Sequence, residues 1–113
     1  MTEYLISFPG SAMDFPDEEF QAVSDAAYAF VQEARAAGVL VFTGGIDEDV
    51  APILVAGDGT VTDGGYPQGP DLNGGYAVLR LDTREEAVEW AAKIARACRC
   101  SQEVRQFQPG RMA

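Results

Sequence analysis

Residues 76–97 read YAVLRLDTREEAVEWAAKIARA, and this stretch decides the fold class. Its first six residues are apolar except for one arginine, which is the pattern of a β-strand. Thr83 and Glu86 have the spacing of a capping box, so we expect a helix to begin there and to run to about Ala97. Its apolar side recurs at helical spacing and consists of Ala87, Val88, Ala91, Ile94 and Ala95. A strand that leads directly into an amphipathic helix indicates mixed α and β structure.

The segments on either side extend this pattern. The predicted elements are a strand at 4–8, a helix over about 17–37 that Gly38 ends, a strand at 39–42 that Gly44 and Gly45 break, a hairpin formed by 52–56 and 60–62, and a last strand over about 103–107. The order strand, helix, two or three strands, helix, strand predicts an α+β ferredoxin-like βαββαβ sandwich, in which both helices lie on one face of an antiparallel sheet. We expect residues 1–113 to form one such domain.

Apolar residues on the predicted strands are more numerous than two helices can cover. Those that cannot all lie beneath the helices are Tyr4, Ile6, Val39, Val41, Val55 and Val78. A second subunit that packs sheet against sheet would cover the other face. The sequence therefore predicts a homodimer, and it leaves open whether dimers associate further.

Composition and charge exclude several classes of function. The chain has 18 acidic and 8 basic residues, a formal net charge of −10 and no histidine. This charge has the wrong sign for a phosphate backbone or an anionic surface, so neither nucleic acid nor a membrane is an expected partner. The lack of histidine excludes histidine-dependent triads and zinc sites, and the single lysine, Lys93, does not follow a glycine-rich phosphate loop. We expect no metal and no cofactor.

The cysteines and the start of the chain indicate a reducing compartment. Cys98 and Cys100 are too few for a disulfide scaffold, and we expect the first to be a buried small hydrophobe and the second a partly exposed thiol. The residues after Met1 lack the basic and apolar regions of a signal peptide, and no apolar run approaches the ~20 residues of a membrane span. The predicted location is cytoplasmic.

A loop over residues 63–75 is the main candidate for a functional segment. It is rich in Gly, Pro, Asp and Asn, has no periodicity, and is long for so small a domain. Asp63 opens it and Asp71 lies near its end, so the two carboxylates could approach each other and raise one pKa into the range of a proton shuttle. The alternative is that Asp63 forms an Asx-turn with Gly64 and that Asp71 is solvated.

Two tyrosines add possible ligand contacts to this loop. Tyr66 and Tyr76 could donate their hydroxyls to a ligand and provide apolar walls with their rings. Tyr76 is better explained by core packing, because it begins an apolar strand. Tyr66 is the stronger candidate, because a single aromatic ring among Gly and Pro has little else to pack on.

Further ligand contacts are predicted at the glycine pairs and after the first strand. The pairs Gly64-Gly65 and Gly74-Gly75 could direct backbone N–H groups at an anion, although turn geometry also explains them. Met13 and Asp14 follow the first predicted strand and could border a pocket. Capping of the first helix explains Asp14 without a ligand.

Several runs resemble the YCII-related family, in particular its branch with an Asp-Gly-Pro-Phe loop. They are VTDGGY at 61–66, GGY at 74–76, EAVEWAAKI at 86–94 and EVR at 103–105, with AYAF at 27–30 and AAGVL at 36–40 earlier in the chain. The resemblance covers nearly the whole chain. It implies a ferredoxin-like subunit in a dimeric α/β barrel, and in a minority of members enzymatic activity on small, often aromatic or chlorinated, molecules.

The chain also departs from the family pattern. The resemblance implies a His–Asp pair in the YCII branch, but this chain has no histidine. Gly65 and Tyr66 replace the Pro-Phe pair of the loop, and Gln68 replaces the acidic residue that follows it. Asp63, Gly64 and Asp71 agree with the pattern, as do Gly74, Gly75 and Tyr76.

The sequence leads to one main hypothesis and a rival. The hypothesis is a homodimer whose cleft between sheet and helices binds a small organic molecule beneath the 63–75 loop. Cofactor-free proton transfer or elimination there would use Asp63 or Asp71 as base and Tyr66 as hydrogen-bond donor. The rival is a non-catalytic ligand sensor or protein-interaction module, which the missing histidine favours. A cofactor-independent monooxygenase is a third option that no residue selects.

Overall fold

A four-stranded antiparallel sheet and two helices form the body of the protein in its computed structural model, which describes residues 1–110. In chain order the elements are β1 (Thr2–Phe8), α1 (Phe20–Ala36), β2 (Leu40–Gly45), β3 (Ile53–Val55), β4 (Val61–Asp63), β5 (Gly75–Leu81), α2 (Arg84–Cys98) and β6 (Glu103–Gln106). The strand order in the sheet is β2-β5-β1-β6, and β3 and β4 form a separate hairpin. This is the ferredoxin-like topology that the sequence predicts, with the hairpin inserted between the second and third strands of the sheet.

Both helices pack on the same face of the sheet. One cluster of buried side chains joins Phe30 and Ala34 of α1 and Ala87 and Ile94 of α2 to the two central strands. The strand residues in this cluster are Tyr4, Ile6, Ala77, Leu79 and Leu81. Of the six apolar strand residues predicted not to fit all beneath the helices, Tyr4 and Ile6 do lie beneath them. Val39 also packs against the core, and Val55 belongs to the separate hairpin.

The opposite face of the sheet, which we call the outer face, is uncovered and partly apolar. Because strand residues alternate between faces, Leu5, Tyr76 and Val78 point away from the helices. Phe42 is the cross-strand neighbour of Val78 and is 61% exposed. The predicted apolar face therefore exists. Of the six residues named from the sequence, Val78 lies on it, and Val41 is 41% exposed at the irregularity in β2 between Leu40 and Phe42.

The boundaries of two elements differ from the prediction. β2 continues through Gly44 and Gly45, which pair with β5, so these glycines do not break the strand. α1 begins after a short 3-10 turn at Asp17–Glu19, and no side chain caps either element. Asp14 is exposed and does not cap the helix as predicted.

The ends of α2 follow local rules more closely. Thr83 caps its start, because the side-chain oxygen accepts a hydrogen bond of 3.1 Å from the backbone N–H of Glu86. The helix ends at Arg99, which takes the left-handed conformation that glycine usually supplies, with φ 60°. Among residues 1–110, no helix is long and apolar enough to cross a membrane.

Candidate functional site

Three chain segments meet at the start of β5 and form what we call the junction: residues 8–14, 45–48 and 73–76. The Asn73 side-chain oxygen accepts a hydrogen bond of 2.8 Å from the backbone N–H of Gly10. The backbone N–H of Ile46 donates to the carbonyl oxygen of Gly74 over 2.9 Å. These bonds fix the end of the 63–75 loop against β1 and β2.

The glycine pair at the junction is required by packing. Gly74 has φ +80°, and a β-carbon there would collide with the carbonyl oxygen of Phe8 and lie 2.7 Å from the amide nitrogen of Gly10. A β-carbon at Gly75 would lie 2.7 Å from the ring of Phe8, so this ring lies directly over Gly75. Gly74 therefore allows close backbone approach and Gly75 makes room for the Phe8 ring, and this explains both glycines without a bound anion.

Glu48 and Asn73 belong to the junction although the sequence did not single them out. A β-carbon at Gly10 would lie 2.9 Å from one carboxylate oxygen of Glu48, so this carboxylate lies against the backbone after β1. Glu48 belongs to the acidic run Asp47-Glu48-Asp49, which has no motif spacing. Asn73 precedes a glycine, which is a turn signal that carries no information about its distant partner.

The other predicted residues at the junction have different surroundings. Tyr76 lies on the outer face opposite Ser7 and Gly44, so the prediction that it packs in the core is wrong. Met13 is half-buried and packs against the core. Asp14, its neighbour, is exposed.

The loop residues lie on the surface beyond the junction. Asp63 is the last residue of β4, and the N–H of Gly64 donates to the carbonyl oxygen of Pro52 over 3.0 Å, which closes the hairpin. The backbone of Gly64 is left-handed, with φ +98°. Gly65 lies in more open space, because the nearest atom to an added β-carbon would be in Pro52, 4.0 Å away. Tyr66 is 76% exposed and Asp71 is also exposed.

The predicted carboxylate pair does not form within one chain. Throughout residues 1–110, no hydrogen bond or ion pair involves the side chains of Asp63, Tyr66 or Asp71. The Asx-turn predicted for Asp63 is therefore absent as well. The roles of these three residues remain predictions.

Within residues 1–110, core side chains fill the space between the sheet and the helices, so the predicted cleft is absent there. Ile6, Leu79 and Leu81 are fully buried in this space. Two grooves lie elsewhere: one of about 320 Å³ lies between 1–3 and 106–110, and one of about 390 Å³ lies between α1 and α2. No predicted site residue lines either groove.

The two cysteines have the character expected of structural thiols. Burial raises the pKa of Cys98, and the nearby Cys100 raises it further. Burial also raises the pKa of Cys100, while a hydrogen bond from Gln102 opposes this shift. Both thiols are therefore protonated at neutral pH. No group of three or more Cys, Asp or Glu side chains within residues 1–110 is arranged to hold a metal ion.

The strand order and the inserted hairpin define a ferredoxin-like α+β protein. The model of the YCII-related domain family matches residues 4–108, so the chain belongs to the YCII-related family. No curated protein matches the chain. One similar solved structure is 5-chloro-2-hydroxyhydroquinone dehydrochlorinase (TftG) from Burkholderia phenoliruptrix AC1100 in complex with 2,5-dihydroxybenzoquinone. It is 15% identical, the match covers 96% of this chain and 95% of that chain, and the TM-score is 0.47.

Proposed function

We propose that this protein is a homodimer that binds a small organic molecule beside Tyr76 and the 63–75 loop, and that it catalyses cofactor-free proton transfer there. The observation behind this proposal is the uncovered outer face, which carries Tyr76 together with the apolar side chains of Leu5, Phe42 and Val78. A ligand on this surface can contact both the ring and the phenolic hydroxyl of Tyr76, whereas the space beneath the helices is filled.

The accessible surface of the chain supports the dimer. It measures 8002 Å² for a 12.1-kDa chain. A monomeric protein of that mass exposes roughly 6,000 Å². Obligate dimers bury about 1,000–2,500 Å² per subunit, so the excess is of the size that a permanent partner covers.

The chemistry of the site follows from the residues near Tyr76. Leu5, Phe42 and Val78 would contact the apolar part of a planar ligand, and the tyrosine hydroxyl would orient a carbonyl or phenol group. Asp63 or Asp71 would take the proton, and Tyr66 would donate a hydrogen bond to the oxygen that becomes negatively charged. A phenolic or other hydroxylated ring fits this set of groups.

Native mass spectrometry of the untagged protein purified directly from cells tests the binding proposal. We expect a dimer with one added small mass per site. Tyr76→Ala should lose this mass, whereas Tyr28→Ala should keep it, because Tyr28 is an exposed tyrosine on α1 outside the site. Loss of the added mass in both variants, or in neither, would contradict the proposed site.

The role of Asp63 needs a separate test once the bound molecule is identified. Asp63→Asn should lower turnover of that molecule by at least about 100-fold, which is the usual contribution of a general base. Asp58→Asn is the matched control, because Asp58 lies in the same hairpin and hydrogen-bonds Thr60. Unchanged turnover in Asp63→Asn would remove it from the role.

A non-catalytic interaction module is the second candidate. It is favoured by the filled interior, because Tyr4 and Phe30 belong to the packed core and leave no space for a ligand between them. A dimer that carries no added mass, and that binds none of a panel of hydroxylated benzoates and phenols by calorimetry, would favour this function over the enzyme.

A further inference from the structure

The hairpin formed by β3 and β4 has one apolar face without cover, which we call the arm face. Val55 pairs with Val61 and Ile53 pairs with Asp63, so these four side chains share the same face. Ile53, Val55 and Val61 are 55%, 62% and 58% exposed. An isolated two-stranded hairpin is at best marginally stable in water, so its apolar face needs a packing partner.

The position of Asp63 connects the arm face with the proposed catalytic site. Asp63 stands beside Ile53 at the end of the arm face. Any surface that covers the valines of the hairpin therefore also borders this carboxylate, which is the main candidate base.

We propose that the arm face docks on the outer face of a second copy of this chain, so that Asp63 of one subunit lies close to Tyr76 of the other. This inference rests on the homodimer proposed above and adds that the site is composite. Neither subunit alone then brings the candidate base next to the surface that would bind the ligand's ring.

The dimensions of the chain favour a second copy of the chain as the molecule that covers the arm face and the outer face. The radius of gyration is 15.9 Å, whereas a compact domain of this length has a radius of about 13 Å. Each chain provides one arm face and one outer face, so a two-fold axis pairs an arm face with an outer face twice. The accessible surface in excess of that expected for a monomer, described above, is large enough to include the arm face and the outer face.

Charge favours the outer face, rather than the arm face of the second copy, as the surface on which the arm face docks. Residues 53–63, which form the hairpin, contain two acidic residues, Asp58 and Asp63, and no basic residue, so two copies of the hairpin would repel each other. The outer face carries Arg80 and Arg105, which form ion pairs with Glu3 and Glu103. Its charge is therefore balanced, and an acidic arm meets less repulsion there.

A pair of lysine substitutions in β4 tests the docking. Val61→Lys places a charge on the arm face, and Thr62→Lys places the same charge on the opposite face of the same strand. By sedimentation velocity we expect Val61→Lys to raise the dimer dissociation constant at least about 100-fold, because two symmetry-related contacts each bury an unpaired charge. Thr62→Lys should change it by less than about 3-fold.

Cross-linking tests the composite site directly. Asp63→Cys and Tyr76→Cys are made separately in a background in which Ala replaces Cys98 and Cys100, and the two variants are mixed with a short bismaleimide. A covalent heterodimer is expected, and Asp58→Cys in place of Asp63→Cys should give much less.

The outcomes separate the two proposals. A wild-type dimer that survives Val61→Lys and yields no cross-linked heterodimer would overturn the composite site while the homodimer stands. A monomeric wild type would overturn both.

Discussion

At the scale of single residues, Gly74 is the glycine that least tolerates a side chain among residues 1–110. Its backbone is left-handed, and the space that a β-carbon needs is taken by the backbone of Phe8 and Gly10. The same residue accepts the hydrogen bond from Ile46. One glycine thus holds the ends of β1 and β2 against the start of β5, and the geometry of the 63–75 loop depends on it.

Gly74→Ala should therefore destabilise the protein strongly. We expect a loss of at least about 3 kcal/mol in the free energy of unfolding, from left-handed strain and a backbone clash. Urea unfolding followed by circular dichroism measures this. Gly69→Ala is the control in the same loop: its added carbon meets nothing within 4 Å, and the change should stay within about 0.5 kcal/mol. Equal effects at both positions would contradict the account of the junction.

The buried thiol of Cys98 gives a prediction about pH. Burial raises its folded-state pKa above the ordinary value of 9.0, so above pH 9 the unfolded chain loses this proton first. The stabilisation by Cys98 is therefore complete below pH 9 and declines as the pH rises. In urea unfolding under reducing conditions, the stability difference between wild type and Cys98→Ala should be constant below about pH 9 and should narrow as the pH rises above it. Cys100→Ala should show less narrowing, and an unchanged difference for Cys98→Ala would contradict the inferred burial effect.

At the scale of elements, α2 shows how local signals determine a boundary. The capping spacing of Thr83 and Glu86 lies within four residues, and the structure forms the capping bond. Thr83→Ala should cost about 1 kcal/mol of unfolding free energy. Ser101→Ala, which removes a hydroxyl from an exposed residue after the helix, should cost less than about 0.5 kcal/mol. Equal unfolding midpoints for Thr83→Ala and wild type would contradict the capping role.

The extent of β2 was harder to predict from the sequence than the start of α2, because it depends on pairing with a strand distant in the chain. Gly44 and Gly45 look like a break, yet β2 continues through them because β5 supplies its ladder of hydrogen bonds. The ring of Phe42 lies against Gly44 on the outer face, where a β-carbon would come within 3.1 Å of it. The small residue therefore has a packing role that only the folded sheet reveals.

At the scale of the whole molecule, the fold could be predicted from local sequence patterns, whereas the contacts that form the candidate site could not. The order of strands and helices is set by local periodicity, so the ferredoxin-like plan follows from the sequence. Asn73 and Gly10 are 63 positions apart, and no local pattern indicates that they bond. The sequence places Asp63 at the start of the 63–75 loop and Tyr76 directly after its end, whereas the structure assigns them to two different uncovered surfaces, a hairpin face and a sheet face.

We infer that these uncovered surfaces belong to an interface between two copies of the chain. Sedimentation velocity of the untagged protein at low micromolar concentration measures whether the two copies associate. We expect a single species with twice the 12.1-kDa mass of the chain. A stable monomer under these conditions would contradict it, because the apolar outer face and the arm face would then remain in water without a partner.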